Sequence, residues 1–157
     1  MERLHPRIRL VWAAGALVSG LVLAAIVGAL FYLALDWPLT DTLALGVGLV
    51  LFVFVVGAAY AVLRFRAWQF ELQDDALYLE RGVFTEVRTV LPYVRVQHVD
   101  TQRNPIERVL GLARVVVYTA GSRGADVTVP GLTVERATAL REDLRTRANE
   151  HEGGDGV

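Results

Sequence analysis

Residues Arg95 to Leu112 read RVQHVDTQRNPIERVLGL. The first part alternates as a strand does, but its phase slips. Val94 and Val96 share a face two apart, and Val99 lies three beyond Val96. Such a slip requires a bulge or a bend. Asn104 then suits a helix cap, Pro105 the first helical position, Glu107 the third place of a capping box and Gly111 the exit. Ile106, Val109 and Leu110 of this short turn are expected to point inward. The stretch reads as a bulged strand, a capped turn that reverses the chain and plugs a sheet edge, and the start of the next strand.

The neighbours carry the same pattern. ARVVVYTA, 113–120, is the most strand-like run in the chain, β-branched and aromatic. Upstream, AWQFELQ, 67–73, places Trp68, Phe70 and Leu72 on one face, and Asp74-Asp75 turns it into a second strand over 76–83. A third strand, 85–92, sets Val87 and Thr89 opposite Arg88 and Val90. Pro92 confines it to an edge or ends it. Downstream, GSRGA is a turn, and DVTVP is a last short strand that Pro130-Gly131 ends. From Thr133 the period becomes helical, with Val134, Ala137, Leu140, Leu144 and Ala148 on one face. The final EHEGGDGV, 150–157, has the composition of a disordered tail. Six or seven short strands and one amphipathic helix fit an antiparallel sheet, or a small barrel whose open end the helix plugs.

The first half of the chain is different in kind. Of 157 residues 54% are hydrophobic, and the excess is concentrated in two uncharged runs, Leu10–Leu35 and Thr42–Leu63. A membrane core takes about 20 apolar residues of helix. Both runs exceed that, and the first is too long for the apolar region of a cleaved signal, about 7–15 residues. Too little chain remains to wrap two fully apolar helices as a soluble core. A two-span hairpin over 10–63 is therefore expected, with a flank at 1–9 and a polar domain at 66–149.

Arg3, Arg7 and Arg9 precede the hairpin, Arg64 and Arg66 follow it, and the connecting loop holds only Asp36 and Asp41. The positive-inside rule then puts both termini and the domain in the cytoplasm of a multi-pass cell-membrane protein. Ala16, Gly20, Ala24 and Gly28 make a stripe of small residues spaced by four, suited to close helix packing against the second span or against another copy. No charge lies inside either run, which argues against a transporter or channel and for an anchor.

The order and spacing of these features resemble a family. Two spans precede a W-x-F-x-L…L-x-L-x-x-G strand pair; PYVRVQHVDTQRNPIERVLGLARVVVYTAG follows, then VPGL and a helix. This resembles the bacterial pleckstrin-homology type 2, or YdbS-like, membrane proteins over nearly the whole chain. RVQHVD stands where members read like RIQSVD, so His98 departs from the small residue usual there. The resemblance implies a pleckstrin-homology-like barrel or sandwich with a capping C-terminal helix, and it carries over no catalytic residue.

Chemistry is sparse. There is no cysteine, so no disulfide, thiolate metal site or thiol nucleophile is available. His98 and Asp100 are two apart on a strand and share a face, without a nucleophile at recognisable spacing; a ring bonded to its neighbour is the plainer reading. A membrane enzyme built on that pair is the remote alternative. No cofactor, metal or small-molecule substrate is indicated. Nucleic acid is excluded by a net charge of −1 and by the lack of an arginine-bearing recognition helix.

What stands out is arginine. Between Arg81 and Arg123 seven arginines face three acids, a net of +4, whereas from Asp126 onward four arginines face seven acids, a net of −3. Arg88, Arg95, Arg103, Arg108 and Arg114 are the candidate contact surface, against the plainer reading of solvated outward positions. The stretch QFELQDDALYLERG is acidic where familiar pleckstrin-homology domains bind phosphoinositides, so that activity is not supported. The expected function is binding, to another membrane protein or a second copy, or alternatively to anionic lipid.

Overall fold

The computed structural model describes residues 1–120 and 126–153, the last three through their backbone. The expected turn at 121–125, with Arg123, the His151 side chain and residues 154–157 of the tail lie outside the described residues. The chain divides into two compact units. One is Arg9–Leu63; the other joins Met1–Ile8 to the chain from Arg64 onward.

The first unit is an antiparallel pair of helices, α1 (Ile8–Ala34) and α2 (Leu39–Ala67). Their 27 and 29 residues rise roughly 40 Å at about 1.5 Å each, enough to cross a bilayer core of about 30 Å. The link turns at Asp36, φ 51°, under an edge-on contact of Phe31 and Trp37 at 4.7 Å. The small-residue stripe lies along α2 of the same chain. Ala16 meets Gly57, a Cβ built at Gly20 would sit 3.4 Å from Val53, Ala24 lies opposite Gly46, and Gly28 lies opposite Thr42. The Thr42 hydroxyl donates to the Pro38 carbonyl at 3.1 Å. The outward faces expose Ile26, Leu33, Phe52 and Val55, the surface that a lipid-facing helix presents.

The second unit contains two antiparallel sheets that do not close into a barrel. β1 (Glu2–Arg3), β2 (Gln69–Leu72), β3 (Ala76–Arg81) and β4 (Val87–Pro92) lie in that order. β4 is an outer strand, so Pro92 stands on an edge, where a residue without an N–H does least harm. A 3-10 turn, Tyr93–Arg95, leads to β5 (Val96–Gln102). The short helix α3 (Pro105–Val109) then precedes β6 (Leu112–Thr119) and β7 (Val127–Thr133), ordered β5-β6-β7. β6 is the central strand, and Leu112, Ala113, Val115 and Val117 are wholly buried, as a run apolar on both faces requires. α4 (Val134–Gly153) packs over β5, β6 and β7 with Ala137, Leu140 and Leu144 fully buried, the face its period predicts. The helix runs four residues past the expected end of the domain at 149, into the segment read as tail.

Four local expectations are corrected. The N-terminal flank is part of the domain: Glu2 pairs with Phe70 and Arg3 with Gln69, Leu4 and Ile8 are buried, and the His5 N–H donates to the Gly131 carbonyl at 2.7 Å. The α1–α2 hairpin is thus an insertion between two paired strands of one sheet. Val94 does not share a face with Val96. It sits exposed in the 3-10 turn, and Tyr93 takes the inward place, its ring buried and its hydroxyl donating to the Gln73 carbonyl at 2.7 Å. β7 does not end at Pro130-Gly131 but passes through it. The register shifts between Ala113 and Val115, so Pro130 and Gly131 together oppose Arg114 in a bulge, where proline is tolerated. Gly131 has φ +64°, and a Cβ there would stand 2.7 Å from that of Ile8. Finally, α3 has the predicted capping box but the opposite polarity: Val109 is 87% and Ile106 38% exposed, and Glu107 is the buried residue.

Candidate functional site

The phase slip in β5 is a bulge: Val96 pairs with Thr119 and His98 with Tyr118, leaving Gln97 as the extra residue. β5 is an outer strand, bonded to β6 on one side only. Along its other side runs a cleft of about 540 Å³, lined by Val96–Asp100 and, from α4, by Arg141, Arg145 and Asn149 with Ala148. Successive strand residues point to opposite faces, yet five in succession line the cleft. It therefore follows the strand edge rather than covering one face. At about 3.3 Å per residue the edge measures roughly 13 Å, and Arg141 to Asn149 on the helix rises about 12 Å. The two walls match in length.

The polar groups are unevenly engaged. His98 Nε2 donates to Asp100 Oδ1 at 2.7 Å, and the imidazole lies tilted 5.9 Å from the Tyr118 ring. That is the neighbour-bonded pair expected from the spacing. Arg141 is paired with Glu142 at 2.9 Å. The Arg145 side chain, exposed, has no hydrogen bond or ion pair among the described residues. A cation and an amide thus stand across from a strand edge whose outward main-chain groups lack a strand partner among the described residues. This arrangement can hold an extended chain, particularly one bearing a carboxylate.

The five candidate arginines do not form one surface. Arg114 belongs to the scaffold, its Nη2 2.9 Å from the buried Glu107 carboxylate. Arg103 Nε donates to the Leu112 carbonyl at 3.0 Å and Nη2 to that of Arg108 at 3.4 Å, bracing the ends of α3. Arg88 stands on β4 in the other sheet, 2.7 Å from Glu86 and 3.3 Å from Glu80. The hydrogen bond and charge of Glu86, then the charge of Glu80, hold its guanidinium above the ordinary value. Arg95 and Arg108 are exposed, and neither side chain is bonded among the described residues. They flank opposite ends of β5, whose seven residues extend about 23 Å.

Sequence reasoning named His98 and Asp100 but did not single out Gln97, Arg141, Arg145 or Asn149 as site residues. The available signal was their spacing: 141, 145 and 149 are four apart and form one stripe beside the buried one. A second concavity, about 560 Å³, runs along the hairpin and is apolar except for Tyr32 and the already bonded Thr42.

Comparison with known proteins agrees with this architecture. UPF0699 transmembrane protein YdbS of Bacillus subtilis (strain 168) is 29% identical over 140 residues, spanning 85% of this chain and 84% of that protein. UPF0699 transmembrane protein YdbT of the same organism is 26% identical over 101 residues, 64% of this chain but 20% of that protein. No solved structure matches. The profile described as bacterial PH domain matches residues 10–148, from the first helix into the last, and this chain belongs to that family.

Proposed function

We propose that this protein is a non-enzymatic interaction module, anchored by its two spans with the domain in the cytoplasm, whose β5–α4 cleft takes an extended segment of a membrane-protein partner as an added strand. The observation that carries the reading is the cleft itself. Among the described residues it follows an open strand edge, its length suits about four residues of extended chain, and Arg145 on its far wall has no bond to another described residue. Strand addition obtains affinity from main-chain bonds and selectivity from the flanking side chains. The arginines at the hairpin ends support the cytoplasmic placement. Pairing of β1 with β2 supports both termini being on the domain's side.

The test is a photo-crosslinking residue at Gln97, activated in native membranes. The expected product is one discrete adduct with a membrane protein, lost on Arg145→Glu and absent when the crosslinker replaces Ala139, which is exposed on α4 outside the cleft. No adduct at Gln97, or the same adducts at both positions, overturns the proposal.

A further inference from the structure

α3 exposes what such a turn usually hides. Glu107 is 1% exposed, whereas Val109 is 87% and Ile106 38% exposed. The inversion is locked. Asn104 Oδ1 accepts from the Glu107 N–H at 2.7 Å, the Glu107 carboxylate accepts from the Asn104 N–H at 2.8 Å, and Arg114 closes on the same carboxylate. Rolling the turn to bury Val109 would strip Glu107 of these partners.

A second observation gives the location of the exposed face. Arg7 Nη1 donates to the Leu110 carbonyl at 3.3 Å, which ties the end of α3 to the residue just before α1. Leu10, where the uncharged run begins, is three residues further, a rise of about 5 Å along a helix. Arg7, Arg103 and Arg108 are all exposed around the same turn. Apolar side chains ringed by arginines, one of them three residues in sequence before an uncharged helical run, have the chemistry of an interfacial contact. Such a contact seats the apolar groups at the acyl boundary and the cations at the phosphates.

We propose that α3 is seated in the headgroup layer of the membrane this chain spans, with Val109 and Ile106 reaching the acyl boundary. The occupant is lipid rather than protein because Arg7, bonded to the end of α3, precedes the uncharged run of the first span by only three residues of chain. The contact is separate from the β5–α4 cleft and stands whether or not that cleft binds a partner.

The chain has no native cysteine, so single spin labels can be placed without background. Full-length protein carrying Val109→Cys, Ile106→Cys or, as control, Ala139→Cys is labelled in lipid nanodiscs. Collision with oxygen and with a water-soluble nickel chelate is then compared. The labels at 109 and 106 are expected to meet oxygen more and nickel severalfold less than the label at 139. All three positions are exposed, so folding is not at stake. Equal nickel access at 109 and 139 overturns the proposal. Protection of 109 in native membranes but not in nanodiscs of the purified protein assigns the patch to a protein partner and overturns it equally.

Discussion

The ion pair under α3 is asymmetric, and its two halves should respond differently to mutation. Glu107 is 1% exposed while the Arg114 side chain is 32% exposed. Arg114→Met keeps the stem but leaves a carboxylate sealed from water, its remaining partner being the Asn104 main-chain N–H. Removing one partner of a buried pair costs about 3–5 kcal/mol. That surviving bond places this case near the lower end, about 3. Glu107→Gln leaves a guanidinium that can turn to water and a side-chain oxygen that still accepts. A lost charge-assisted bond costs about 1.5–3 kcal/mol, and the retained oxygen holds this case near the lower end. Pulse proteolysis in a urea titration, with the full-length protein in mild detergent, reads both. With a urea dependence of about 1–3 kcal/mol per molar, Arg114→Met should lower the midpoint by roughly 1–3 M, and Glu107→Gln by about half of that or less. Equal shifts, or a larger one for Glu107→Gln, would refute the assignment of the carboxylate as the sealed partner.

Gly131→Ala places a Cβ at positive φ, about 1–2 kcal/mol, and against Ile8, for a total loss of about 2–4 kcal/mol once overpacking is included; trypsin should then cut after Arg3 and Arg7 faster. Gly57→Val drives a branched side chain into Ala16, so hydrogen exchange across residues 16–24 should quicken in detergent while the domain's exchange stays as it was. Burial pushes the Tyr93 phenol above its ordinary value, with Arg147 pulling the other way. Its contribution to stability is therefore whole below the free-tyrosine pKa of about 10 and lost as pH rises through the folded value. Tyr93→Phe should remove that part of the alkaline loss in thermal melts, at the expense of the Gln73 bond. Arg136 bonds Glu2 at 2.6 Å, and this bond holds its guanidinium above the ordinary value; Glu2→Gln should free the β1 segment by no more than about 1 kcal/mol, read by the same trypsin assay.

Local chemistry along the chain determined a good deal. Two uncharged runs longer than a bilayer core marked the two long apolar helices, each of a length and hydropathy that can cross a membrane. The spacing of Val134, Ala137, Leu140, Leu144 and Ala148 specified the buried face of α4, and the one-residue slip after Val96 required the bulge found at Gln97. The Asn104–Glu107 capping box was equally legible. In each case the partner lies within a few residues, so the pattern carries its own cause.

Tertiary structure decided the rest, because the deciding partner was remote in sequence. Residues 2 and 3 became a strand only because β2, more than sixty residues on, offered an edge. Pro130 and Gly131 stayed inside β7 because Arg114 opposes them in a bulge that Ile8 covers. α3 turned its apolar side outward because Arg114 was positioned to take the Glu107 carboxylate, and a satisfied buried charge outweighs the gain from covering one valine. The cleft needed Gln97–Asp100 and Arg141–Asn149 to meet. Periodicity reveals which side of an element is apolar; only packing decides what its polar side will face.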